Sequence, residues 1–115
     1  MSSNHCEAHS ALLAEILLRL GCRTDCRVWK INTGGAKVGS RFVRFGLPGA
    51  ADISGILAGG RRLEIEVKTG TGRPSEAQQR FGQMIVAMGG IYIIARSVQD
   101  AIDAVVAAGR ERGDS

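Results

Sequence analysis

Six consecutive residues, Leu63-Glu64-Ile65-Glu66-Val67-Lys68, alternate strictly between apolar and charged. A period of two belongs to a β-strand with one apolar face and does not suit a helix. Leu63, Ile65 and Val67 face a core, and Glu64, Glu66 and Lys68 share the other face. The stretch just upstream, Asp52–Leu57, ends at Ala58-Gly59-Gly60. Together the two read as a β-hairpin joining Asp52–Leu57 to Arg61–Thr69. Ile53 and Leu57 must also face the core, which puts Asp52, Ser54 and Ile56 opposite. A two-residue Gly59-Gly60 loop would set Asp52 against Val67 and mix a carboxylate into the apolar face. A three-residue loop sets Asp52 against Glu66, Ile53 against Ile65 and Gly55 against Leu63. Only the second register keeps both faces uniform.

That register has a chemical consequence. Directly opposed side chains have Cβ atoms about 5 Å apart, and two carboxylates so placed repel. A divalent cation between Asp52 and Glu66 removes the conflict. Mg²⁺ takes one or two carboxylates, with waters and phosphate oxygens filling the remaining places. Lys68, two residues along the same face, points at the same spot. Asp52, Glu66 and Lys68 therefore form a constellation suited to phosphodiester hydrolysis. The plain alternative is an exposed polar face with a Glu66–Lys68 neighbour contact.

The rest of the chain supplies the frame. Leu12, Leu13, Ile16, Leu17 and Leu20 form a helical stripe that Gly21 ends. A strand is expected near Cys26–Ile31, a glycine-rich loop at Thr33–Gly39 and a short strand at Arg41–Phe45. After the hairpin, Ser75 reads as the N-cap of a helix running to about Met88, with Ala77, Phe81, Met84 and Met88 on its core face. Gly89-Gly90 stops it. Ile91–Ala95 is a buried strand, and Ser97 caps a last helix carrying Val98, Ile102, Val105 and Val106. The order is α-β-β-β-β-α-β-α. The expected fold class is α/β, more strictly α+β: one mixed central sheet flanked by helices. The 115 residues make one domain, 1–115, with its core over about 7–108.

No apolar run approaches the roughly 20 residues of a membrane helix, and the polar N-terminus lacks a signal-peptide layout. A location in the cytoplasm of the host cell is the expectation, with no membrane contact. The net charge of +4 suits a polyanionic partner. Arg23, Arg27, Lys30, Lys37, Arg41 and Arg44 all lie between the first helix and Asp52. They read as phosphate contacts or as a solvated face. His5, Cys6, His9, Cys22 and Cys26 lack the tight paired spacing of a structural zinc site, and three cysteines do not make a disulfide framework.

Phe45-Gly46-Leu47-Pro48-Gly49-Ala50-Ala51-Asp52-Ile53-Ser54-Gly55, then Glu66-Val67-Lys68-Thr69, then Ser75-Glu76-Ala77-Gln78 and Gly89-Gly90, together resemble the VRR-NUC domain of the PD-(D/E)xK nuclease superfamily. The resemblance runs from Glu7 to about Ala104. It implies a restriction-endonuclease-like αβββαβ core, Mg²⁺ or Mn²⁺ as cofactor, and phosphodiester cleavage in DNA. It makes Asp52, Glu66 and the backbone carbonyl of Val67 the metal ligands and Lys68 the catalytic lysine. Gln78 matches the glutamine after the lysine strand, and it equally fits a capping box with Ser75. A first-helix glutamate belongs to the pattern. Glu7 fits by spacing and Glu15 is its rival, and either could equally be a solvated acid. Trp29-Lys30-Ile31-Asn32-Thr33-Gly34 resembles a stretch near the DNA-facing side, although Trp29 also suits a core or an interface. Lys30, Asn32, Lys37, Arg41 and Arg44 are the DNA-binding candidates. The superfamily's Pro-Asp pair is not literal here, since Gly49-Ala50-Ala51 separates Pro48 from Asp52.

Stand-alone chains of this size resemble structure-selective phage-type nucleases, including Holliday-junction resolvases that act as homodimers. Paired cuts in a four-way junction fit a two-fold dimer. The expectation is thus a metal-dependent endonuclease for branched or flapped DNA. The alternative is a DNA-binding or assembly module that keeps the fold without the chemistry. A nucleotide-binding enzyme is disfavoured, because Gly70-Thr71-Gly72 is followed by Ser75 where a dinucleotide fingerprint needs glycine.

Overall fold

The computed structural model describes residues 2–32, 35–44 and 46–111, with the backbone alone at 2–6, 35 and 44. The first apolar stripe forms α1 (Ser2–Gly21). There follow β1 (Cys26–Lys30), β2 (Gly35–Val38), β3 (Arg41–Arg44), β4 (Ile53–Leu57), β5 (Arg62–Val67), α2 (Glu76–Ala87), β6 (Ile91–Ala95) and α3 (Val98–Glu111). The fold is mixed α+β, with three helices around a four-stranded mixed sheet of order β1-β4-β5-β6. β1, β4 and β5 run antiparallel in turn, and β6 lies parallel to β5. A parallel neighbour needs a crossover connection, and α2 provides it.

The β4–β5 hairpin has the expected register, with Ile53 opposite Ile65 and Gly55 opposite Leu63. The Leu57 amide donates to the Arg61 carbonyl at 2.9 Å, so Ala58-Gly59-Gly60 is the loop. Gly59 and Gly60 both have positive φ, a conformation costly for any other residue. Leu63, Ile65 and Val67 are buried in one core with Leu13, Ile16 and Leu20 of α1 and Ala101, Val105 and Ala108 of α3. On the opposite face of the sheet, Ala51, Phe81 and Ile85 form a smaller core against Tyr92.

Two expectations and one alternative need correction. Residues 35–38 were expected in a loop, but they are a strand, β2, paired with β3 around a Gly39-Ser40 turn. Gly39 at φ +62° supplies the left-handed turn residue, and the ladder compensates for the weak strand propensity of the glycine run. Met84 and Met88 do not face the core of α2: they are exposed, and Phe81, Gly82 and Ile85 are buried instead. Gly82 allows this, because a Cβ there would run into the Tyr92 ring. The Glu64/Glu66 face, finally, is not an exposed polar face. α2 crosses over it, and Glu64 and Glu66 are only 1% and 3% exposed.

Ser75 and Ser97 cap their helices as expected, through bonds from the Gln78 and Asp100 amides. Cys26 is buried and Cys22 exposed. Trp29 is 46% exposed, which removes its core reading. Among the described residues no helix is long and apolar enough to cross a membrane.

Candidate active site

Asp52 sits one residue ahead of β4, and it is held through both its backbone and its side chain. Its carbonyl accepts from the Ile31 amide at 2.9 Å, which extends the β1–β4 ladder by one step. Its Oδ2 accepts from the Val67 amide at 2.9 Å, across from the end of β5. Gly49 makes this approach possible. It holds φ +77°, and a Cβ there would collide with the backbone of Ala77 in the first turn of α2. The segment before Asp52 therefore packs directly on α2, with Ala51 buried beneath Phe81.

Glu66 lies deeper. Its Oε2 is buried without a hydrogen-bond partner among the described residues, as are Thr69 Oγ1 and the Tyr92 hydroxyl. Burial pushes the Glu66 carboxyl up to about 9, helped by a hydrogen bond to Asp52 and by Asp52's charge, while Lys68 works in the opposite direction. At neutral pH Glu66 thus keeps its proton in the ion-free chain. Burial also raises the Tyr92 hydroxyl to about 12, with the charges of Glu66 and Asp52 adding to the effect. Glu64 differs from its neighbour. It accepts from Ser54 Oγ at 2.9 Å and from Arg62 Nε at 2.7 Å, so both its oxygens are paired. Of two buried acids on one strand, one is satisfied and one is not. A buried unsatisfied carboxyl oxygen is costly and calls for an explanation.

Neither a family-model scan nor a search of curated proteins matches this chain.

Other residues arrange themselves around the pair. Lys68 follows Glu66 on the same strand face, and its amide donates to the Ala95 carbonyl. The loop beyond it is clamped by Arg96, which donates to the carbonyls of Gly70 and Gly72. Asp52 opens into a cleft of about 720 Å³ between α1 and the end of β1. His9, Leu13, Lys30 and Asn32 share its wall, so two of the five DNA-contact candidates lie beside Asp52. Lys37 and Arg41 are exposed on the separate β2–β3 ribbon. The side chain of Arg44 lies outside the described residues. Arg23 is committed to Asp25 through two 2.9 Å bonds, and Arg27 donates to the carbonyls of Arg23 and Cys26.

Gln78 is engaged in the capping box. Its Oε1 accepts from the Ser75 amide at 2.9 Å, and its own amide donates to Ser75 Oγ. Glu7 and Glu15 are both exposed. Asp52 instead meets His9, whose Nε2 lies 3.4 Å from Asp52 Oδ2 and 3.0 Å from the Val67 carbonyl oxygen. The signal for His9 was present but unused. Leu13, Ile16 and Leu20 are the buried stripe of α1, and one turn back along it falls His9. Glu7, two residues earlier, is turned about 200° away round the helix. Tyr92, opposite Glu64 in the parallel register, was also missed.

Among the described residues no three or more His, Cys, Asp or Glu side chains are grouped so that they could hold a metal ion. The oxygen donors available here are the Asp52 and Glu66 carboxylates and the Val67 carbonyl.

Proposed function

We infer that this chain is a divalent-metal-dependent DNA endonuclease with a restriction-endonuclease-like core. Its expected substrates are branched DNA, such as flaps or four-way junctions. The observation that carries the reading is the Asp52–Glu66 pair: two carboxyls within hydrogen-bonding reach, one of them buried with an orphaned oxygen, beside Lys68. A structural role would favour pairing that oxygen, as Glu64 is paired. A cation site explains why it is not. The main element order, with the β2–β3 ribbon set aside as an insertion, is α-β-β-β-α-β followed by α3. That order supports reading the core as the one the resemblance to VRR-NUC domains implies.

Asp52, Glu66 and the Val67 carbonyl would hold Mg²⁺ or Mn²⁺. The ion's contribution is to polarise the phosphate and to lower the pKa of a bound water. The protein's own residues do the rest. The Val67 amide fixes the Asp52 carboxylate against the end of β5. Lys68 places a cation beside the acids, where it orients the attacking water or offsets developing charge. Lys30 and Asn32 line the cleft into which Asp52 opens, and a phosphate backbone laid there would meet the Lys30 ammonium. Gln78 secures α2, which covers the inner acid. A homodimer would bring two such sites to the two strands of a junction.

The test is a panel of end-labelled DNAs: linear duplex, flap, splayed arm and four-way junction, each with Mg²⁺, Mn²⁺ or EDTA. Metal-dependent cutting with a preference for branched DNA is expected, and paired symmetric cuts in the junction would establish the dimer. Salt-sensitive binding without cutting under either metal would replace the nuclease with a DNA-binding module.

A further inference from the structure

The β2–β3 ribbon forms a two-stranded sheet of its own, paired among the described residues with no other strand. A two-stranded hairpin by itself is at best marginally stable in water, so this one gains from a partner. Its register sorts the side chains. Lys37 lies opposite Phe42, so the two share one face; Ala36 lies opposite Val43 and Val38 opposite Arg41, and these make up the other. Phe42 is 66% exposed and Val38 63%, both near the tip formed by the Gly39-Ser40 turn. Lys37 and Arg41 are exposed too, and neither forms an ion pair among the described residues. From Cys26 to Ala51 the sequence holds five Arg and Lys residues and no Asp or Glu. Both ends of the ribbon are rooted at the site. It starts three residues after Asn32 of the cleft wall, and Asp52 comes eight residues after its end.

We propose that the ribbon is the branch-point reader of the nuclease: Phe42 stacks on a base pair laid bare at the branch, and Lys37 and Arg41 hold the phosphates beside it. The inference rests on the nuclease reading above and names what selects its substrate. In an intact duplex the base faces are hidden in the stack, and a groove offers only edges and phosphates. At a flap or a four-way junction the stack is interrupted, and a terminal pair shows a flat apolar face between charged backbones. An exposed ring with two cations beside it complements that surface in shape and in sign. Four-residue strands reach roughly 13 Å, enough to set Phe42 at the branch while the base of the ribbon stays at the cleft. A second copy of the chain fits the ribbon less well. Ribbon against ribbon would bring like charges together in a two-fold contact, and lysine is depleted from the cores of protein interfaces.

The experiment compares binding of a labelled four-way junction with binding of a linear duplex of the same arm sequence, by fluorescence anisotropy in EDTA over a range of salt. The full chain is used, as wild type, Phe42→Ala, Phe42→Leu, Phe42→Tyr and Lys37→Gln, and the oligomeric state of each is read by sedimentation. The wild type is expected to prefer the junction. Phe42→Ala and Phe42→Leu lose roughly 10-fold in junction affinity with much less change on the duplex, and Phe42→Tyr keeps the preference. Phe42→Leu also covers the case in which Phe42→Ala misfolds. Lys37→Gln weakens both complexes and lowers the salt slope by about one. A wild type without junction preference, or a preference that Phe42→Ala leaves unchanged, would overturn the role of the ribbon. So would a Phe42→Leu protein that keeps the preference, since an aliphatic side chain cannot stack. Loss of a wild-type dimer in Phe42→Ala would assign the ribbon to a contact between copies and overturn its role on DNA. In each of these cases the cutting panel above still decides the nuclease reading. A wild type that binds neither DNA, with or without Mg²⁺, would overturn both.

Discussion

The Asp52 carboxylate accepts the Val67 amide hydrogen at 2.9 Å, while the carbonyl of the same Val67 faces His9 Nε2 at 3.0 Å. One residue at the end of β5 thus positions an acid with its N–H and presents an oxygen to the cleft with its C=O. The amide bond makes Asp52 part of the fold as well as of the site.

Asp52→Ala should therefore lose stability as well as metal. It strips the Val67 amide of its acceptor, at a cost of about 1–3 kcal/mol. Asp52→Asn can still offer an amide oxygen to that N–H. Chemical denaturation should find it close to wild type, while calorimetry finds its affinity for Mn²⁺ or Mg²⁺ largely gone.

Glu66 gives the ion-free chain a pH signature. Its ordinary value is 4.5, and in the folded chain it rises to about 9. Between those values the unfolded chain releases a proton that the folded chain retains. Its contribution to stability is thus full below about pH 4.5 and is lost as pH rises toward 9. Thermal melts in EDTA should show this decline, and Glu66→Gln should flatten it and melt higher than wild type at pH 8. Identical pH slopes for the two proteins would contradict the raised carboxyl.

Gly49→Ala tests the close approach of the Asp52 segment to α2. The left-handed φ and the collision with the Ala77 backbone act together. A loss of roughly 1–3 kcal/mol is expected, with reduced metal affinity because Asp52 is displaced. Gly60→Ala is the control, since a Cβ there has positive φ but open space around it. It should cost less and leave metal binding intact.

Ser75→Ala removes one arm of the capping box and should cost about 1 kcal/mol. Gln78→Ala removes the reciprocal arm. Denaturation midpoints should fall in both, since each leaves a backbone amide at the start of α2 without its side-chain acceptor.

Much of this geometry was legible in the residues. The strict alternation of Leu63–Lys68 and a glycine pair in a three-residue loop allow only one register that keeps the faces uniform, and Ile53 does lie opposite Ile65. Ser75 and Gln78 announce a helix start through local bonds that need no tertiary context. The cover over Glu66 was not legible in that way. It depends on where α2 crosses the sheet, and alternation alone cannot tell a solvated face from one lidded by a distant helix. The exposure of Met84 and Met88 has the same origin, because Gly82 lets the helix turn a different face to Tyr92. His9 escaped because a histidine continuing a leucine stripe resembles its end rather than its last member.

The central claim is best tested by single-turnover cleavage of a labelled four-way junction and a flap by wild type and Lys68→Ala. Each is assayed with Mn²⁺, Mg²⁺ and EDTA, after both proteins have been shown to melt alike. Metal-dependent cutting that falls by about 100-fold or more in Lys68→Ala is the predicted result. Cutting by Lys68→Ala at the wild-type rate, or cutting that persists in EDTA, would contradict it.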